Sequence, residues 1–322
     1  VIAALALLLA GPPDDAVRVS EHVEVERVLV EVRVLDGARA VPGLGTDDFE
    51  LKVGGEVVPL ESAHWVPAHG GRDDGAPASP ARTVVFFVQK DLQARRGPGL
   101  LRMLLRAQEV LDGLPREDRV AVASFDSQLK LWTDAGRDRE GPREALRHAV
   151  LFDARPPPLA REEGSLASHF DAEAARKAAT TETGLLVLAR ALRAIDGPKV
   201  VVFVGWGLGR YTTSGVRAEP DYEEARRALL AAHATVFTLD ITDADYHSLE
   251  LGLQALAEHT GGFYARTHLS TGGVIARLRG ALAGHYVLAF ERPVAEGDGR
   301  LRVGLRGRRG AVLARSHSLR AR

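Results

Sequence analysis

Three short stretches hold the side chains able to bind an ion, move a proton or anchor a partner. The first, Gln89-Lys90-Asp91-Leu92-Gln93, follows the apolar run Thr83-Val84-Val85-Phe86-Phe87-Val88. Its two amides and one carboxylate offer oxygen ligands for a hard cation, but Lys90 beside Asp91 opposes one. The second is Gly205-Trp206-Gly207-Leu208-Gly209-Arg210, after the run Lys199 to Val204. It lacks both the GxGxxG opening of a dinucleotide loop and the GK[ST] of a Walker loop, so it reads as a loop presenting an aromatic anchor. The third, Asp240-Ile241-Thr242-Asp243-Ala244-Asp245-Tyr246-His247, sets three carboxylates and an imidazole after another strand. Cation binding or acid–base chemistry fits those groups; the plainer reading has Asp243 or Asp245 capping the next helix.

All three depend on the elements that carry them. From Arg82 onward strands and helices alternate. Strands are predicted over 84–88, 119–125, 199–204 and 235–240. Helices are predicted through 100–111, 143–150, 222–232, 248–260 and 274–282, with a long helical region over 171–194 broken near Gly184. Repeated strand–helix units imply a doubly wound, mostly parallel, Rossmann-like sheet covered by helices on both faces. Ligands of such sheets bind beyond the carboxyl ends of the strands, which is where the three stretches fall.

The two ends of the chain read differently. Residues 17–67 carry period-two alternation in Val28-Leu29-Val30-Glu31-Val32-Arg33-Val34, with turns at Asp36-Gly37 and Gly54-Gly55. Residues 285–322 are again β-rich, through Tyr286–Phe290, Leu301–Leu305 and Ala311–Ala314. The two segments are expected to pack together as a small β-sandwich-like module beside an α/β domain over 82–284. Residues 68–81 (AHGGRDDGAPASPA) read as a linker. Residues 1–13, an apolar run ending in Gly11-Pro12-Pro13, read as the remnant of a signal peptide, too short to span a bilayer. They imply export, to the periplasm or beyond the cell.

Composition narrows the function classes. Forty-two basic against 43 acidic residues give a net charge of -1, without the basic excess that a nucleic-acid or anionic-membrane partner requires. There is no cysteine, which excludes disulfides, thiolate catalysis, Fe–S clusters and Cys-based zinc sites. Neither a Gly-x-Ser-x-Gly elbow nor a His-Glu-x-x-His helix occurs, and no catalytic triad assembles.

The order and spacing of several strings resemble the von Willebrand factor A-type domain, and more narrowly the VWFA-related family first noticed in acidobacterial proteomes. These are Leu44-Gly45-Thr46-Asp47-Asp48-Phe49-Glu50-Leu51, Asp118-Arg119-Val120-Ala121-Val122-Ala123-Ser124-Phe125, Leu256-Ala257-Glu258-His259-Thr260-Gly261-Gly262-Phe263 and His285-Tyr286-Val287-Leu288-Ala289-Phe290. The resemblance implies a metal-ion-dependent adhesion site, built from Asp-x-Ser-x-Ser after the first sheet strand, a loop threonine and a later aspartate. Here the first motif becomes Gln89-x-Asp91-x-Gln93. Thr183 matches the threonine, with Thr180 and Thr181 competing, and Gly205 or Trp206 replaces the late carboxylate. The site is degenerate on this reading.

The expectation is therefore an exported, non-catalytic protein–protein recognition module without a cofactor. Its crest would be formed by Gln89, Asp91, Gln93, Thr183, Trp206 and Asp240. Competing readings are an Mg²⁺- or Ca²⁺-dependent adhesion module that uses Asp91, Thr183 and Asp240, or Asp240, Asp243 and Asp245. Others are a hydrolase using the Asp240–His247 cluster, and a structural spacer.

Overall fold

The computed structural model describes residues 26–68, 81–90, 96–152, 155–213, 215–243, 247–292 and 299–315. Asp91, Gln93, Asp245, the signal-like run 1–13 and the linker beyond residue 68 as far as 80 lie outside the described residues.

A six-stranded sheet organises the centre, in the order Tyr264–Arg266, Ala234–Asp240, Lys199–Gly205, Thr83–Gln89, Arg119–Phe125, Leu129–Gly136. The first five strands run parallel, and Leu129–Gly136 closes one edge antiparallel to Arg119–Phe125. Every residue of Thr83–Gln89, Lys199–Gly205 and Ala234–Asp240 is buried. Such unbroken apolar runs are what a strand covered on both faces requires. Val84, Phe86 and Val88 pack under helices Gly97–Asp112 and Thr271–Leu282. Val85 and Phe87 face helices Thr181–Arg193, Tyr222–Ala231 and Glu250–Thr260. The architecture is mixed α/β.

The helical region over 171–194 is not broken at Gly184. It divides into Ala172–Lys177 and Thr181–Arg193, each with its own N-cap. The Asp171 carboxylate accepts from the amides of Glu173 and Ala174, and the Thr180 hydroxyl from that of Thr183. Gly184 lies within the second helix, where a Cβ would come within 2.8 Å of the Phe125 ring. Close approach, not helix breaking, accounts for that glycine.

Two antiparallel sheets join the ends of the chain. One has the order Ala311–Ala314, Arg27–Asp36, Gly284–Glu291, Ser62–Pro67, with Arg39–Ala40 also paired to Arg27–Asp36. The other has Leu301–Leu305, Phe49–Val53 and Glu56–Val58. They share one apolar cluster containing Val30, Val32, Phe49, Leu51, Tyr286 and Leu288. Phe49 and Trp65 meet the fully buried Tyr286 ring edge-on. The Tyr286 hydroxyl accepts from the Leu44 amide and donates to the Val41 carbonyl, both at 2.8 Å.

These sheets abut the amino ends of the central strands. Arg315 Nη2 donates to the His233 carbonyl at 2.6 Å and Arg33 Nη1 reaches Thr235 Oγ1 at 3.4 Å. Glu31, Arg33, His285 and Arg315 form a charged cluster there, Arg33 and Arg315 buried and Glu31 and His285 half-buried. Burial brings the Arg33 guanidinium down to about 10 against the pull of Glu31. Burial and the Arg33 charge bring the His285 imidazole down to about 4. Burial alone would raise the Glu31 carboxyl, but Arg315 and Arg33 outweigh it and hold it low. With the amino ends occupied in this way, the carboxyl ends of the central strands are left to the loops.

Candidate functional site

Gln89 ends the central strand of the sheet and is 3% exposed. Its Oε1 accepts from the amides of Trp206 at 2.9 Å and Gly207 at 3.2 Å. Its Nε2 donates to Thr181 Oγ1 at 2.9 Å and to the Gly207 carbonyl at 2.8 Å. Backbone amides only donate and carbonyls only accept, so this pattern fixes the side-chain orientation and uses the full capacity of the amide. Gly205 permits the approach, because a Cβ there would lie 2.6 Å from Gln89 Oε1.

An Mg²⁺ ion at this position would need oxygen lone pairs that Trp206 and Gly207 already hold. It would also face an amide nitrogen committed as a donor. The described residues at the end of Thr83–Gln89 do not fit a hard cation.

The threonine brought to Gln89 is Thr181, not Thr183. Helix Thr181–Arg193 starts at its Thr180 cap, which turns Thr183 away; its hydroxyl donates to Asp221 Oδ2 at 3.0 Å and lies 2.7 Å from Thr180 Oγ1. Glu182, in the same turn, is buried and accepts from the Gly209 amide at 2.6 Å. Burial pushes its carboxyl up, more than the two backbone amides it accepts from pull it down.

Trp206 is half-buried. The Arg96 guanidinium lies 3.9 Å from the centre of its ring, a cation–π contact. Burial lowers the Arg96 pKa, while Tyr211 and Asp240 work in the opposite direction. The segments that follow the central strands also expose apolar side chains. Tyr211 is 67% exposed on the hairpin Arg210–Thr212/Gly215–Arg217, Leu251 is 53% exposed in a first helical turn, and Leu269 is 68% exposed.

Asp240 ends its strand fully buried and centres a second network. Its Oδ1 accepts from the Thr242 amide at 2.9 Å and hydroxyl at 2.7 Å. Its Oδ2 lies 2.6 Å from His247 Nε2 and accepts from Tyr264 Oη at 2.8 Å. Tyr264 Oη is also 3.0 Å from Glu250 Oε2, and Arg266 grips both Glu250 oxygens through Nε and Nη2. Burial and the two carboxylates push the tyrosine hydroxyl far above its ordinary range. Burial would raise the Glu250 carboxyl, but its bonds from Arg266 and Tyr264 hold it low.

Asp243 belongs to neither a cap nor this cluster. It pairs with Arg102 at 2.7 Å, while helix Glu250–Thr260 has Leu249 at its N-cap and no side-chain cap. Gln89 and Trp206 thus come together with Thr181, and Asp240 with His247, as separate groups two strands apart. Thr181, a competing candidate for the loop threonine, completes the first group; Glu250, Tyr264 and Arg266 complete the second and were not among the site residues expected from sequence. Among the described residues no helix is long and apolar enough to cross a membrane.

No family model and no curated relative matches the chain. Among solved structures it is similar to a von Willebrand factor type A protein from Catenulispora acidiphila, at 10% identity and a TM-score of 0.43, over 85% of this chain and 73% of that one. It is similar to the human COPII-coat protein Sec24c at 10% identity and a TM-score of 0.45, over 79% of this chain and 44% of that one. For an aerotolerance-related membrane protein from Bacteroides fragilis the figures are 13%, 0.39, 62% and 98%. The chain spans less than half the length of the Sec24c protein, and likeness of this order concerns overall fold alone. The α/β portion has a parallel sheet with a single antiparallel edge strand and helices on both faces.

Proposed function

We propose that this chain is an exported, non-catalytic recognition module that captures a protein partner on its crest without a metal ion at the Gln89 position. The observation that carries the reading is the saturated Gln89 amide. Where the resemblance implies a carboxylate and an ion, a neutral side chain holds the Thr181 and Trp206–Gly207 segments together by four hydrogen bonds. Exposed Tyr211, Leu251 and Leu269, each on a segment that follows a strand of the central sheet, suit burial of an apolar partner surface. Loops held on a rigid sheet are a usual place for such contacts.

In this reading residues 82–284 form the recognition domain. The described residues of 17–67 and 285–322 form a sandwich-like base at its other end. Export rests on the run Val1 to Ala10.

The test is affinity capture from the source cell envelope with the full chain, Trp206→Ala and Tyr211→Ala, each with Mg²⁺ and with a chelator. The reading predicts one partner retained by the wild type in both conditions and released by both variants. Capture that needs the divalent ion, or that survives both substitutions, would overturn it.

A further inference from the structure

We propose that the groove between helices Thr181–Arg193 and Tyr222–Ala231 docks an acidic protein segment that sets an apolar side chain between carboxylates. Leu186, Ala189, Arg190 and Arg193 stand at i, i+3, i+4 and i+7 of the first helix and so share one face. Glu224, Arg227, Ala228 and Ala231 repeat that spacing on the second. The two faces line one open groove of about 420 Å³.

The bottom of the groove is apolar. Leu186 and Ala189 are buried, and Ala228 is half-buried against the same core. The methyl side chains of Ala189, Ala228 and Ala231 leave space that longer residues would fill. An apolar side chain of a partner can enter it and lose its water.

The charge at the margins selects the partner. Three guanidiniums stand against one carboxylate, in a chain whose formal net charge is -1. Arg193 is exposed and has no hydrogen-bond or ion-pair partner among the described residues. Arg190 meets Glu224 at 2.6 Å, with the two side chains 62% and 53% exposed. Arg227 Nε is 3.6 Å from Glu223 Oε1, and its side chain is 70% exposed. Exposed pairs of this kind contribute about 0–1 kcal/mol, so an incoming carboxylate displaces them at little cost. Guanidiniums also take carboxylates two hydrogen bonds at a time, which favours an acidic partner. The helix dipole accounts for Arg190 and Arg193 in a last turn, but not for Arg227, which precedes the last turn of its helix.

The groove lies apart from the crest. Helix Thr181–Arg193 leads into Lys199–Gly205, and helix Tyr222–Ala231 into Ala234–Asp240, so their last turns lie toward the amino ends of those strands. The proposal therefore concerns a second surface, on the flank of the sheet, and does not depend on the crest reading.

The experiment is fluorescence anisotropy with a labelled peptide in which each leucine is flanked by glutamates. The controls are a peptide with serine in place of leucine and a single-stranded oligonucleotide of equal charge. Each is titrated with the full chain, Arg193→Glu, Arg227→Glu and Ala231→Leu. Expected is saturable binding of the leucine peptide that weakens as salt rises. Either arginine reversal should weaken it about tenfold, since an attraction is lost and a repulsion added. Ala231→Leu should remove the advantage of the leucine peptide over the serine control. All three substitutions are at exposed positions, so unchanged melting temperatures separate loss of the groove from loss of the fold. No binding of the leucine peptide, equal binding by all four proteins, or tighter binding of the oligonucleotide through the same arginines would overturn the proposal.

Discussion

Gln89 and Gly207 pair twice: the amide nitrogen of Gln89 donates to the Gly207 carbonyl at 2.8 Å, and its oxygen accepts from the Gly207 amide at 3.2 Å. A side chain thereby extends the sheet pairing by one step and fixes the loop that carries Trp206. Replacing Gln89 by Ala leaves the Trp206 and Gly207 amides and the Thr181 hydroxyl buried without this partner. The expected loss is about 3 kcal/mol in urea unfolding.

Gln89→Glu separates polarity from pairing. The carboxylate still accepts from Trp206 and Gly207, but its second oxygen meets the Gly207 carbonyl. The variant should fold with a loss of about 1–2 kcal/mol at neutral pH, smaller than that of Gln89→Ala. Equal losses in the two variants would show that the bond to Gly207 O dominates.

The charged cluster at the other end of the sheet predicts acid sensitivity. The folded state holds the His285 imidazole down to about 4, from an ordinary value of 6.5. As pH falls through 6.5 the unfolded chain takes up a proton that the folded chain refuses, so stability is full above this window and declines toward pH 4. The low-held Glu31 carboxyl acts with the same sign at lower pH. Wild type should lose up to about 3 kcal/mol over the window, and His285→Gln should flatten the slope. Denaturant midpoints measured across pH 4–7 check both.

Gly184→Ala gives the helix a better former, worth about 1 kcal/mol. It also drives a methyl to within 2.8 Å of the buried Phe125 ring. Overpacking should win, with a net loss of about 1–2 kcal/mol. A stabilised variant would contradict the close-approach account of this glycine.

Some of this was legible in the sequence and some was not, for physical reasons. The runs Val84–Val88 and Lys199–Val204 announce doubly covered strands because burial on both faces suppresses alternation. Gly184 looks like a breaker because local propensity carries no sign of Phe125, 59 positions away. Thr181 and Thr183 differ in role only through the Thr180 cap, which sets the helix phase. The Asp240 group was legible as far as His247. Tyr264 and Arg266 stand at alternate positions of one strand and so share a face, which was the available signal; their meeting with Glu250 depends on how that edge strand pairs. Asp243 went to Arg102 on another helix, a contact that no local pattern encodes.

The central claim is that recognition proceeds without an ion at Gln89, and calorimetric titration of the metal-stripped chain with Mg²⁺, Mn²⁺ and Ca²⁺ tests it most directly. The account predicts no saturable heat that Asp91→Ala abolishes with any of the three ions. Saturable Mg²⁺ or Ca²⁺ binding that disappears in Asp91→Ala would contradict it and restore a metal-dependent adhesion site at the end of the Thr83–Gln89 strand.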